Sequence, residues 1–362
     1  MKKAIAASIL CLWVNIHGFS QSSYTYSTPK ALNDGWETAS LYELEFTPVS
    51  IEDLFEQLHY ESYEIHSVVV IHKNQLIIEE YFDGYTVDQP HDLRSVTKSI
   101  RSLLLGIALD QGFIKSIDDP ISTYLKSHVP RKNLTDSKEK ITIRHLITMS
   151  SGLDCNDWDQ QSKGREDKVY KKKDWIQYTL NLPMIHEPGE VSAYCSMGTI
   201  LLAEIISQAS GMSLQAFAQQ YLFNPLDISN VKWGHTSDKE VIESGKRLYM
   251  TPRDMAKIGQ LILNKGKWQG KQVISEQWIQ DATSSKTKIT GINYGYLWWN
   301  LPFQTPQGRQ VSKTATGNGG QYIMSFPELE LVVIFTGGAY NSEKDKIPFA
   351  IVRDVILPTF SE

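Results

Sequence analysis

The 362-residue chain has few cysteines and none of the spacings typical of common metal sites. It contains three cysteines and no Cys-x-x-Cys or His-Glu-x-x-His pattern, so neither a zinc knuckle nor a zinc-protease helix is indicated. Cys155 and Cys195 also lack the histidine and cysteine neighbours that a metal site needs. We therefore expect no metal and no other cofactor.

The sequence also lacks an apolar run of membrane-spanning length. Residues 4–14 are apolar and follow Met1-Lys2-Lys3, but this segment is too short to cross a bilayer as a mature helix. A basic start before such a segment is typical of a secretory signal, and we predict a signal peptide over residues 1–20. We expect an exported protein, periplasmic or secreted, without stable membrane insertion. A cytosolic protein with a frayed N-terminus is the alternative.

The sequence also has no excess of positive charge. The formal net charge is −5, and removal of residues 1–20 would delete Lys2 and Lys3 and no acidic residue, which lowers it to −7. This balance favours neither nucleic acid nor an anionic membrane as a partner. We expect a small-molecule substrate, and the sequence leaves the oligomeric state open.

What the sequence does contain is an apolar helix that begins with a serine and a lysine. The spacing of its apolar residues predicts a helix over residues 93–109. Ser95 and Lys98 lie three positions apart, on one face of that helix. A neutral lysine there could accept the hydroxyl proton and make Ser95 a nucleophile. Because Ser-x-x-Lys recurs elsewhere in the chain, a helix cap at Ser95 with a solvent-reaching Lys98 is the alternative.

Two further segments carry candidate chemistry. Tyr194-Cys195-Ser196 follows a Pro-Gly turn and precedes an apolar helix, so Tyr194 could enter a cleft and exchange a proton with Lys98; a packing role is the alternative. The glycine-rich residues 314–321 read as the start of a strand. Gly317, Asn318 and Gly319 there would let a backbone N–H approach a ligand, whereas an ordinary glycine turn is the simpler interpretation.

The order of elements predicts an α+β fold. Residues 67–72 and 75–82 form one expected hairpin, and residues 321–326 and 329–336 form another. An aromatic strand at 294–299 and a closing helix at 347–357 complete the C-terminal part. We expect an antiparallel sheet flanked by helices and built from both chain ends, residues 46–113 and 266–362. A mostly helical domain, residues 114–265, is inserted between them, and a surface arm over 21–45 follows the signal peptide.

The ordered motifs Ser95-x-x-Lys98, Tyr194-x-Ser196 and the glycine-rich strand start resemble a known superfamily. This superfamily contains the serine β-lactamases and the penicillin-binding-protein-like enzymes. The motifs resemble most its class C-like branch, which includes esterases and 6-aminohexanoate-dimer hydrolases. Residues 141–153 and 188–190 also resemble segments of this superfamily. The resemblance implies a β-lactamase/transpeptidase-like fold. It further implies Ser95 as nucleophile, Lys98 as its partner, Tyr194 as general base, and the backbone N–H groups of Ser95 and Asn318 as oxyanion donors.

Two departures from the family pattern bear on the substrate. Ser196 stands where many members have Asn, and Ala315-Thr316-Gly317 stands where many have Lys-Thr-Gly or His-Thr-Gly. Ala315 cannot supply the side chain that often helps to hold the carboxylate of a β-lactam or of a D-Ala-D-Ala stem. Acyl transfer stays possible, because nucleophile, base and oxyanion donors are all present.

We therefore predict an exported serine hydrolase that cleaves a small ester or amide through an acyl-serine intermediate. The alternatives are a DD-peptidase or β-lactamase and a non-catalytic binding relative. A Gly-x-Ser-x-Gly elbow is missing, which disfavours an α/β-hydrolase. Trp298, Trp299 and Gly319 could line the substrate pocket, although core packing is as good an explanation for the two tryptophans. Cys155 and Cys195 could form a disulfide in an oxidising compartment; two buried thiols are the alternative.

Overall fold

The computed structural model describes residues 24–47, 49–235 and 241–360, and the predicted signal peptide lies outside them. The strands are β1 (Glu37–Thr38), β2 (Ile65–His72), β3 (Gln75–Tyr81), β4 (His91–Asp92), β5 (Lys232–Gly234), β6 (Arg247–Met250), β7 (Lys267–Trp268), β8 (Lys271–Gln272), β9 (Thr287–Ile289), β10 (Ile292–Tyr294), β11 (Trp299–Thr305), β12 (Gly308–Gly317), β13 (Gln321–Phe326) and β14 (Leu331–Gly337). The helices are α1 (Val49–Tyr60), α2 (Val96–Asp110), α3 (Asp136–Glu139), α4 (Ile143–Ile147), α5 (Glu166–Val169), α6 (Trp175–Leu180), α7 (Ser196–Ser210), α8 (Leu214–Ala218), α9 (Pro252–Leu263), α10 (Glu276–Thr283), α11 (Ile347–Ile351) and α12 (Leu357–Thr359).

The main sheet joins the two ends of the chain. In the described residues it has nine strands in the order β1-β3-β2-β14-β13-β12-β11-β10-β9. Every neighbouring pair is antiparallel except β1 and β3, which run parallel. The predicted α+β class, with an antiparallel sheet built from both ends and flanked by helices, is confirmed.

Both predicted hairpins form. Lys73 and Asn74 connect β2 to β3 with φ angles of 49° and 65°, the left-handed pair that a tight two-residue turn between twisted strands requires. A short 3-10 turn, Pro327–Leu329, connects β13 to β14. The two hairpins pair with each other through β2 and β14, which run antiparallel.

The sheet separates two apolar cores. Val69 and Ile71 of β2 face the core shared with α2 and α9, whereas Val68 and Val70 face the core shared with α1 and the C-terminal helices. Successive side chains of a strand point to opposite faces, so a strand covered on both sides has an unbroken apolar sequence. Helix α9, which falls in the predicted helical domain, packs against the sheet. A Cβ at Gly259 would lie 2.4 Å from Val332 Cγ1.

Helix α2 is the centre of the first core. Every residue from Val96 to Ala108 is buried, as its nearly all-round apolar sequence predicts. Helix α7 packs alongside it. Within the described residues, no single helix combines the length and hydropathy of a membrane span, although the bent pair Ser196–Ser210 and Leu214–Leu226 meets both criteria together.

Three segments differ in detail from the sequence prediction. The expected strand at 294–299 is divided into β10 and the start of β11, because Leu297 has a φ of 65° and donates its N–H to Ile147 O instead of a strand. The expected surface arm contributes β1 to the sheet and buries Trp36, whose ring packs edge-on against Trp268. The closing helix continues from α11 through a π-helical turn into α12.

Candidate active site

Ser95 lies at the N-terminus of α2, at the end of a strained turn that follows β4. Arg94, directly before it, has a φ of 49°, a left-handed conformation that is costly for a side chain of this size. The Asp92 carboxylate stabilises this turn by accepting the Arg94 N–H at 3.0 Å. The turn places the Ser95 hydroxyl at the mouth of a cleft rather than inside the helix.

Lys98 lies one helical turn after Ser95 and points at it. Its side chain is buried, with 7% of the residue exposed, and its Nζ donates a hydrogen bond of 2.8 Å to Ser95 Oγ. The same Nζ lies 5.0 Å from the ring centroid of Tyr194. The structure therefore brings together the three residues predicted to be catalytic, and Lys98 does not point into solvent.

Tyr194 reaches this cleft from the loop before α7. It is 9% exposed, and its backbone carbonyl accepts the Asp157 N–H at 2.8 Å. The rings of Trp158 and Trp299 stack beside it, with centroid distances of 5.0 and 6.0 Å. Two aromatic neighbours and a backbone hydrogen bond thus fix the direction of the phenol.

A disulfide joins the two loops that hold Tyr194. Cys155 and Cys195 are bonded, with their Cα atoms 5.4 Å apart and a sequence separation of 40. Cys195 follows Tyr194 directly, and its Sγ accepts the Gly198 N–H at the start of α7. The bond ties the loop that begins at Cys155 to the residue next to the candidate base.

The end of strand β12 forms the opposite wall of the cleft. A Cβ at Gly317 would lie 2.4 Å from Leu93 O and 3.2 Å from Arg94 Cβ, so only glycine lets the strand come this close to the turn before Ser95. Asn318 follows, and its side chain exchanges two hydrogen bonds with Asn341, at 2.8 and 2.9 Å. In the described part of the chain, the backbone N–H groups of Ser95 and Asn318 donate to no protein acceptor.

A cavity of about 220 Å³ opens beside Ser95. Its wall is polar except at Ile200 and Gly245, and it is formed by Arg94, Ser95, Thr97, Lys98, Arg101, Glu166, Tyr170, Ser196, Thr199, Ile200, Gly245, Arg247, Asn318 and Asn341. Ser196 and Asn318, both predicted from the sequence, belong to this wall. The cavity is large enough to hold a polar group of a molecule whose carbonyl carbon lies at Ser95.

The other predicted lining residues lie elsewhere. Trp298 is fully buried in the core, and Trp299 packs beside Tyr194 with 7% of its surface exposed. Gly319 has a φ of 92°, and a Cβ there would lie 2.4 Å from the Tyr340 ring. None of the three is part of the cavity wall.

Sequence reasoning missed two carboxyl groups beneath Ser196. Asp157 Oδ2 accepts the Ser196 N–H at 2.8 Å, and Glu166 Oε2 accepts the hydroxyl groups of Ser196 and Tyr170 at 3.1 and 2.9 Å. Burial raises the pKa of Asp157, with the nearby Glu166 carboxylate acting in the same direction. The only sequence signal for Asp157 was its position two residues after Cys155, in a loop without periodicity.

Among the residues that the structure describes, no group of three His, Cys, Asp or Glu side chains is placed to bind a metal ion. The Ser95 hydroxyl, the Lys98 amine, the Tyr194 phenol and the two backbone N–H groups are the kinds of group that an acyl transfer uses.

The chain is similar in sequence and in fold to known proteins. Residues 53–351 match the sequence model of the beta-lactamase family. The 6-aminohexanoate-dimer hydrolase of Paenarthrobacter ureafaciens is 21% identical over 63% of this chain and 59% of its own length. The D-alanyl-D-alanine-carboxypeptidase/endopeptidase AmpH of Escherichia coli K12 is 26% identical over 71% of this chain and 74% of its own length. The structure of an octameric penicillin-binding protein homologue from Pyrococcus abyssi superposes with a TM-score of 0.64, at 19% identity, over 87% of this chain and 78% of that one.

Proposed function

Because the chain belongs to the beta-lactamase family, we propose that it is a serine hydrolase that cleaves a small ester or amide through an acyl-enzyme intermediate on Ser95. The hydrogen bond of 2.8 Å from Lys98 Nζ to Ser95 Oγ carries this proposal. A buried lysine is costly unless a partner occupies its ammonium or amine group. Here that partner is the hydroxyl that would attack.

The reaction begins when Ser95 Oγ attacks the carbonyl carbon of the substrate. Its proton passes to the Lys98–Tyr194 pair, and the negative charge on the carbonyl oxygen is stabilised by the backbone N–H groups of Ser95 and Asn318. The tetrahedral intermediate then collapses, and the leaving alcohol or amine takes the proton from the pair. A water molecule attacks the acyl-Ser95 ester, the acid is released, and Ser95 recovers its proton.

The decisive test replaces the nucleophile. Ser95→Ala should fold like the wild-type protein and lose hydrolysis of a 4-nitrophenyl acyl ester by three orders of magnitude or more, and it should lose labelling by a fluorophosphonate probe. Ser285→Ala is a matched control, because Ser285 also begins a Ser-x-x-Lys spacing but is exposed on the surface. Wild-type rates in Ser95→Ala would refute the nucleophile assignment, and failure of the wild-type protein to hydrolyse or label would favour a binding protein.

A DD-peptidase or β-lactamase activity is the second candidate. The similarity to the Escherichia coli carboxypeptidase/endopeptidase favours it, whereas Ala315 at the position of a common carboxylate-binding side chain weighs against it. The two candidates are separated by turnover of nitrocefin and by a stable adduct between labelled penicillin and Ser95. Ester hydrolysis without either outcome would support the ester or amide hydrolase.

We also infer that the protein works after export. The predicted signal peptide, residues 1–20, supports this, and so does the disulfide between Cys155 and Cys195, because disulfides persist in oxidising compartments. Cell fractionation and N-terminal sequencing of the mature protein test it. An uncleaved chain recovered from the cytoplasm would contradict it.

A further inference from the structure

Asn318, the candidate oxyanion donor, lies in a segment that has little stiffness of its own. Glycines flank it at Gly317, Gly319 and Gly320, and the last two have φ angles of 92° and 90°. Glycine adopts many backbone conformations at little cost, so the direction of the Asn318 N–H depends on support from outside the segment. A donor to a developing oxyanion is effective only when it is held in place beforehand.

The loop of residues 337–341, which begins at the end of β14, runs alongside this glycine-rich segment. The buried Gln321 side chain joins the two, since its Nε2 donates to Gly337 O at 2.5 Å and its Oε1 accepts the Gly337 N–H at 3.3 Å. Further along, the Ala339 N–H donates to Gly319 O at 3.2 Å in an isolated β-bridge. The 337–341 loop is therefore hydrogen-bonded to the segment at two successive levels.

The last residue of this loop, Asn341, holds the side chain of Asn318. Asn318 Nδ2 donates to Asn341 Oδ1 at 2.8 Å, and Asn318 Oδ1 accepts the Asn341 N–H at 2.9 Å. Asn341 has a φ of 56°, a left-handed conformation that asparagine adopts more readily than most residues. The two hydrogen bonds engage both ends of the Asn318 amide group and so restrict the rotation of this residue.

Tyr340 contacts both sides of the candidate oxyanion hole. A Cβ at Gly319 would lie 2.4 Å from the Tyr340 ring, so the ring packs directly against the residue after Asn318. The Arg94 guanidinium lies over the same ring, 4.5 Å from its centroid, and Arg94 directly precedes Ser95. One aromatic side chain therefore spans the two segments that carry the N–H donors.

We propose that Tyr340 and Asn341 are positioning residues of the oxyanion hole. They hold the backbone N–H groups of Ser95 and Asn318 in the geometry that stabilises the negative charge on the carbonyl oxygen. The inference rests on the proposed hydrolase function and deepens it. Because the oxyanion exists in the transition state and not in the bound ester, loss of this support should lower kcat and leave KM unchanged.

The test separates support of the oxyanion from binding of the substrate. Tyr340→Ala and Asn341→Ala should each lower kcat on a 4-nitrophenyl acyl ester about tenfold, less than the loss of a whole donor would. Phenylboronic acid forms a tetrahedral adduct with a nucleophilic serine, so its affinity should fall by a similar factor. Tyr340→Phe should retain the wild-type kcat, because it keeps the ring that contacts Gly319 and Arg94.

Asn133→Ala and Tyr60→Ala are matched controls. Asn133 is also left-handed, with a φ of 52°, and its exposed side chain donates a hydrogen bond of 2.8 Å to Asn181 O, so the change is the same in kind but lies in the loop before α3. Tyr60 carries an exposed ring at the end of α1. Both controls should keep the wild-type kcat and the wild-type affinity for phenylboronic acid.

The outcomes distinguish this inference from the proposed function. Wild-type kcat and boronic acid affinity in both alanine variants would overturn the positioning role and leave the hydrolase intact. A raised KM with an unchanged kcat, or a fall in kcat that only matches a loss of folded protein by circular dichroism, would do the same. A wild-type protein that neither hydrolyses the ester nor is labelled by a fluorophosphonate would refute the hydrolase, and this inference with it.

Discussion

The indole of Trp158 lies parallel to the phenol of Tyr194, with an interplanar angle of 3° and ring centroids 5.0 Å apart. The two residues differ sharply in exposure, since Trp158 is 54% exposed and Tyr194 only 9%. Trp158 therefore covers the candidate base from the solvent side. The nearby disulfide at Cys155 holds the loop that presents this indole.

Removing this cover should slow the reaction modestly without unfolding the protein. In Trp158→Ala we expect kcat to fall up to about tenfold, because an aromatic pair contributes about 0.5–1.5 kcal/mol that would otherwise hold the phenol in place. Steady-state kinetics with a neutral aryl ester as substrate measure this change in kcat. Tyr60→Ala, which removes an exposed aromatic ring from α1, is the control and should retain full activity. An unchanged kcat in Trp158→Ala would mean that the Trp158 ring does not help to hold the Tyr194 phenol in place.

Lys98 should be required as an amine, not merely as a positive charge. We expect Lys98→Ala to lower kcat by about 10²–10⁴, the usual contribution of a positioned acid or base. Lys98→Arg should not restore activity, because a guanidinium does not give up its proton at accessible pH. Both variants should give wild-type circular dichroism. Recovery of more than a tenth of the wild-type kcat in Lys98→Arg would show that the group acts only through its charge.

The disulfide should stabilise the fold and hold Tyr194. For a loop of 40 residues, closing the unfolded chain gives about 2–4 kcal/mol, so Cys155→Ser/Cys195→Ser should lose that much free energy of unfolding in urea. Its kcat should fall as well, because Cys195 follows the candidate base directly. Reduced wild-type protein should behave like the double variant, and reductant should not change the variant further. Equal unfolding midpoints for oxidised wild type and variant would contradict this prediction.

His91 should make the protein acid-sensitive. Burial lowers the pKa of His91 to about 4, and the neighbouring His66 acts in the same direction, whereas Asp92 opposes it. A histidine whose pKa is depressed on folding contributes stability above its unfolded pKa of about 6.5, and this contribution is lost as the pH falls towards 4. The loss should reach about 3 kcal/mol at pH 4.

Urea unfolding at pH 7 and pH 4 isolates this contribution. His91→Gln should lose less free energy of unfolding between the two pH values than the wild type, because its side chain does not titrate. His186→Gln, a change at an exposed histidine, should follow the wild-type profile. Parallel wild-type and His91→Gln profiles would assign the acid sensitivity to other groups.

Local patterns in the sequence were enough to predict the central elements of the fold. Alternating and continuous apolar runs predicted the two hairpins at the centre of the sheet, because a strand covered on both faces must be apolar throughout. The all-round apolar character of α2 predicted its burial. Ser95, Lys98 and Tyr194 were chosen as candidates from the order of their motifs and the resemblance to a known superfamily, and the distances between them could not be read from the sequence.

Only the tertiary structure decided which groups share one cavity. Arg247 lay at the end of a loop without periodicity and had no local signal that places it near Ser95, whereas Arg101 lies on the same predicted helix, six residues after Ser95. Asp157 and Glu166 became neighbours of Ser196 because a loop folds back onto the start of α7. Charge and burial at a site depend on segments far apart in sequence, and local propensity carries no information about such contacts.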